Sequence, residues 1–111
     1  MEHIITNYIK KHSNSTIRNR AQYINVKLMT LDTNSYSFSY KGSERQPYTI
    51  NISTDSNGII SSCTCPYDYE GICKHEIAAL LYIKDTLLKL QQMNKNLFGE
   101  NLKKTHITKL S

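Results

Sequence analysis

The sequence predicts an α+β fold: a small antiparallel four-stranded meander packed by a C-terminal helix, with a short helix ahead of it. Two changes of hydrophobic period and one turn dipeptide carry this reading. Apolar residues recur at helical spacing near the start, alternate with polar residues from Val26 to about Ile60, and return to helical spacing after Cys73. Inside the alternating region, Asn57-Gly58 is a two-residue hairpin signal, because both central positions of such a turn need positive φ.

Ile4, Ile5, Tyr8 and Ile9 predict an amphipathic helix over residues 3–12, ended by the polar turn Ser13-Asn14-Ser15. Residues 16–25 fit no period, and Ala21 and Tyr23 are expected to tuck a turn against the following sheet. Val26–Leu31 reads as a strand, Asp32-Thr33-Asn34 as its turn, and Ser35–Tyr40 as the next strand. In that second strand Tyr36, Phe38 and Tyr40 face inward and the serines outward. After a connection containing Gly42 and Pro47, Tyr48, Ile50 and Ile52 alternate with Thr49, Asn51 and Ser53 as a third strand. A fourth runs from Ile59 into the cysteines. Four consecutive strands joined by short turns make a meander. Ile77, Leu80, Leu81, Leu87, Leu88 and Leu90, with Ala78 and Ala79, then predict a helix from about Lys74 to Gln92 whose apolar stripe covers one sheet face. The expected organisation is an N-terminal helix and turn over residues 1–22, a central domain over 23–92, and a basic tail or linker over 93–111.

The chain has 111 residues, 21% of them charged and 39% hydrophobic, a size for one domain and a composition for a folded one. No run approaches the ~18 apolar residues of a membrane-spanning helix, and no phosphate-binding Gly-x-x-x-x-Gly-Lys-Ser/Thr loop occurs. The opening Met1-Glu2-His3-Ile4-Ile5-Thr6-Asn7 has neither a basic nor an apolar signal region, so export is not expected and the cytoplasm is the expected compartment. The net charge of +5 is unevenly spread. Residues 1–27 balance at +4, residues 28–92 at −2 and residues 93–111 at +3. Attraction to nucleic acid would therefore begin at the flanks, at Lys10, Lys11, Arg18 and Arg20 and at Lys103, Lys104 and Lys109. The competing reading is that these are ordinary solvated side chains.

Three cysteines fall within eleven residues, and an odd number in a chain not expected to be exported argues for metal ligands rather than a disulfide framework. Cys63-Thr64-Cys65, seven residues and then Cys73-Lys74-His75 place a Cys₃His set within thirteen residues, suited to tetrahedral zinc. On a flat strand Cys63 and Cys65 share a face but stand roughly 7 Å apart. Tetrahedral zinc needs the sulfurs within about 4 Å of each other, so the chain must bend there. Pro66 ends strand pairing directly afterwards. Cys73 and His75 fall at the start of the long helix, where unpaired N–H groups favour thiolate. Four protein donors leave no open position, so one structural zinc per chain is expected, joining the last strand to the helix. Asp68, Glu70 and a backbone carbonyl are all candidates for supporting His75. A redox role for Cys63-Thr64-Cys65 lacks a thioredoxin-like context, and a cysteine nucleophile lacks a nearby second histidine, since His3, His12 and His106 lie at the ends. No catalytic apparatus and no small-molecule substrate are expected.

The set Cys63-Thr64-Cys65-Pro66-Tyr67 and Cys73-Lys74-His75, followed by an Ala/Leu-rich helix, resembles the SWIM-type zinc finger, with its Cys-x-Cys, variable gap and Cys-x-His. Tyr23, Val26, Gly42-Ser43 and Pro47-Tyr48-Thr49-Ile50 are further similar to the SWIM module ahead of the motor in bacterial Swi/Snf-type helicase-like ATPases. The likeness runs from about Arg18 to Lys89. It implies a zinc unit with a binding role, DNA binding as part of a helicase-like ATPase, although no motor sequence is attached. The alternative it leaves is a protein-interaction module docking a partner through Tyr67 and Tyr69, with no nucleic-acid contact.

Overall fold

The computed structural model describes residues 2–42, 45–67 and 70–105. The order is α1 (Glu2–Lys11), α2 (Ser15–Ala21), β1 (Lys27–Leu31), β2 (Ser35–Tyr40), β3 (Tyr48–Asp55), β4 (Gly58–Cys63) and α3 (Lys74–Thr105). The four strands form one antiparallel sheet in sequence order, β1-β2-β3-β4, as the alternation predicts. The helices cover one face of it.

Strand period two sorts the side chains. Phe38 pairs with Ile50 and Tyr36 with Ile52 across β2 and β3, and Cys63 and Ser61 on β4 stand opposite the same two isoleucines. All six therefore point to the covered face. Phe38, Ile50 and Ile52 are fully buried there, and Ile5 and Ile9 from α1 and Ile77, Leu80 and Ile83 from α3 close over them. Tyr82 stands edge-on to Phe38 at 5.4 Å between ring centres. β1 is the exposed edge, with a bulge between Leu28 and Thr30.

Four local expectations shift. Residues 16–25 are not a turn alone, since Ser15–Ala21 form α2. Asn14 caps it, its Oδ1 accepting the Ile17 N–H at 2.9 Å, and buried Ala21 anchors it to the core. Thr16 and Ile17, β-branched and poor helix formers, mask this helix in the sequence. Tyr23, expected to pack on the sheet, is 81% exposed, and Ile4 likewise faces away from the core. The β3–β4 hairpin turns on Ser56-Asn57 rather than Asn57-Gly58, because Asp55 pairs with Gly58. Gly58 takes the positive φ (+128°), and the Asn57 N–H donates to Asp55 Oδ1 at 2.7 Å. Finally, the helix predicted to end near Gln92 runs to Thr105.

Candidate metal centre

The site sits where β4 gives way to the loop before α3. Cys63 is the last residue of β4, on the covered face. One step on, the ladder changes hands. The Thr64 N–H still donates to the Thr49 carbonyl (3.0 Å), but the Thr49 N–H is taken by the Thr64 side-chain Oγ1 (2.9 Å) rather than by a backbone carbonyl. The hydroxyl lets the backbone leave the sheet without leaving that N–H unpaired. This is the bend that brings Cys65 back toward Cys63.

Gly71 and Ile72 set the return of the loop. The Ile72 N–H donates to the His12 carbonyl just past the end of α1 (2.9 Å). Gly71, at φ +91°, passes so close that a Cβ would stand 2.2 Å from the same oxygen. Only glycine meets both demands. Buried Ile72 then delivers Cys73 to the mouth of α3.

Cys73 is the N-cap of α3. The Glu76 N–H donates to Cys73 Sγ (3.4 Å), and Glu76 Oε1 accepts the Cys73 N–H (3.0 Å). That is a reciprocal capping box with sulfur in place of a hydroxyl. His75, two residues on, is buried, with its ring centre 4.9 Å from that of Tyr40 and 5.2 Å from that of Tyr48. Those tyrosines are a cross-strand pair at one end of β2 and β3. Asp68, one candidate support for His75, lies outside the described residues, and Glu70 is exposed.

The outcome is a cluster in which one donor atom from each of Cys63, Cys65, Cys73 and His75 lies within 4.8 Å of every other. His75 Nδ1 is 3.8 Å from both Cys63 Sγ and Cys73 Sγ. Zinc–sulfur and zinc–nitrogen bonds in a tetrahedron place such a pair about 3.6 Å apart, so the donors fit a zinc ion with little adjustment. Their chemistry fits as well. The neighbouring Cys63 sulfur, then burial, pushes the Cys73 thiol well above its ordinary range, and burial raises Cys65. Thiols packed this closely ionise together only around a cation. Four protein donors fill a tetrahedron, which is the arrangement of structural rather than catalytic zinc.

Of the basic residues singled out in the sequence, Lys10, Lys11 and Arg20 are exposed on α1 and α2. Arg18 is half-buried and spends its Nη1 on the Ser13 carbonyl (3.0 Å) and Ser13 Oγ (3.2 Å), locking the α1–α2 corner. Lys11 and Arg20 line one groove with His12, Asn14, Tyr67 and Glu70, between the helical corner and the cysteine loop. The side chains of Lys103 and Lys104, and all of Lys109 and Tyr69, lie outside the described residues. Sequence reasoning missed Thr64 and Glu76. The pattern Cys-x-x-Glu at the start of a helical period is the signal that could have found the second.

Residues 48–84 match the family model of the SWIM zinc finger. The match begins at the first residue of β3 and ends within α3, so it spans both halves of the cluster. Together with the Cys₃His geometry it supports a zinc-binding module with one structural zinc. No curated protein and no solved structure matches the chain. Among the described residues no helix is long and apolar enough to cross a membrane.

Proposed function

We propose, from the SWIM zinc finger matched at residues 48–84, that Cys63, Cys65, Cys73 and His75 hold one zinc ion as a structural clamp and that the module so formed binds nucleic acid. The zinc joins β4 to α3, two elements that also meet through a small core and the Ser61–Glu76 hydrogen bond. A site of this kind contributes apparent binding energy of about 10–16 kcal/mol, comparable with the whole stability of a domain. The chain is a non-catalytic binding module, and free cysteines in this number suit a reducing compartment such as the cytoplasm.

The observation that supports nucleic-acid binding is the groove beside the cysteine loop, where Lys11, Arg20 and His12 converge with Tyr67. Lys10 is also exposed, on the last turn of α1. Phosphates would meet Lys10, Lys11 and Arg20, while Arg18 holds the corner that presents them. DNA is the expected partner, in the setting of a helicase-like ATPase.

Fluorescence anisotropy on short single- and double-stranded DNA at several salt concentrations tests this. The logarithm of affinity should fall with the logarithm of salt, and Lys10→Ala with Lys11→Ala and Arg20→Ala should reduce the slope by about one per charge removed. A flat salt response, or no retention at low salt, would replace this reading with a protein partner docked at the loop that carries Tyr67.

A further inference from the structure

We propose that Glu76 is a positioning residue of the zinc site, holding Cys73 in place as a ligand and tying the site to α1. This rests on the zinc reading and deepens it. Glu76 is 8% exposed and bridges two elements with its two carboxylate oxygens. Oε1 accepts the backbone N–H of Cys73 at 3.0 Å. Oε2 accepts the hydroxyl of Ser61 at 2.5 Å, and Ser61 Oγ in turn lies 2.8 Å from the Tyr8 hydroxyl. The path therefore runs from α1 through β4 to the residue that caps α3.

Burying a carboxylate costs several kcal/mol unless it is well hydrogen-bonded. Among the described residues the one salt bridge is Lys89 with Asp85, and the Glu76 carboxylate is met by hydrogen-bond donors, the Ser61 hydroxyl and the Cys73 N–H. The unpaired N–H groups of the first turn of α3 favour a negative charge at this position. A plain helix cap needs only Oε1 on the Cys73 N–H. The second arm to Ser61 does something a cap does not. It fixes Cys73 relative to β4, the strand that ends in Cys63 two residues beyond Ser61. The two halves of the ligand set are thereby held in register around the metal position. Groups that orient metal ligands in this way are worth about 10–100-fold in metal affinity.

The test compares the wild-type chain with Glu76→Ala and Glu76→Gln, by zinc competition against a chromophoric chelator and by the absorption spectrum of the cobalt(II)-substituted protein. Glu76→Ala should bind zinc about 10–100-fold more weakly, with a shifted cobalt–thiolate band. Glu76→Gln keeps an acceptor for the Cys73 N–H and a polar partner for Ser61, and should recover most of the loss. If Glu76→Ala does not fold, Ser61→Ala carries the test, with a smaller weakening expected. Wild-type zinc affinity and an unchanged cobalt spectrum in Glu76→Ala, or in Ser61→Ala where that variant stands in, would overturn the inference while leaving the zinc site intact. A wild type that takes up no zinc would overturn both.

Discussion

Replacing Gly71 with alanine isolates the contact that closes the cysteine loop. Two costs add. The backbone at φ +91° is unfavourable for an L-residue, by about 1–2 kcal/mol. The new methyl would also stand 2.2 Å from the His12 carbonyl oxygen, a backbone atom that cannot swing away as a side chain does. Relieving that overlap stretches or breaks the Ile72–His12 hydrogen bond, worth about 1 kcal/mol. The expected destabilisation is about 2–3 kcal/mol from these terms together. Gly58 supplies the control: its φ is +128°, yet a Cβ there meets nothing within 4 Å, so Gly58→Ala bears only the backbone cost. At about 4–8 °C per kcal/mol for a domain of this size, the two variants should differ clearly in melting temperature, with Gly71→Ala the lower. Zinc competition should follow the same order, because Ile72 leads directly into Cys73. Equal melting temperatures for the two variants would refute the claim that the loop is pinned by the end of α1.

Elemental analysis of the purified chain should find one zinc per molecule, and Cys73→Ser or His75→Ala should lose both the metal and folded structure; a native-like circular dichroism spectrum after chelation would contradict the structural role of the ion. Thr64→Val removes the acceptor of the Thr49 N–H, and because that N–H is near solvent the cost should be at most about 1 kcal/mol in denaturant unfolding, with weaker zinc binding alongside. The pH response has a definite sign. Burial and the crowded sulfurs raise the Cys65 and Cys73 thiols, so both keep their protons at neutral pH until a cation draws them off. Zinc binding must expel those protons, so calorimetry in buffers of different ionisation enthalpy should register proton release, and affinity should rise with pH over the neutral range.

Strand alternation and metal-ligand spacing are local patterns, and they carried far. Tyr36, Phe38 and Tyr40 announced β2 over its full length, and Cys63, Cys65, Cys73 and His75, read from spacing, are the residues whose donors the fold gathers within 4.8 Å. Period two states which side chains share a face, and a Cys-x-Cys pair needs only a bend to converge. What fell outside such patterns was decided by contacts between distant residues. α2 forms against residue propensity because Ala21 can be buried, Tyr23 turns to solvent because the sheet face is already filled, and the hairpin slips by one residue because Asp55 pairs with Gly58. The same holds around the cysteines. The Thr64 hydroxyl on Thr49, the Gly71 approach to His12 and the Glu76 bridge to Ser61 span 15, 59 and 15 positions of chain. No window of sequence shows which partners such distances will join, because backbone and side-chain polar groups take whatever donor or acceptor the fold brings beside them.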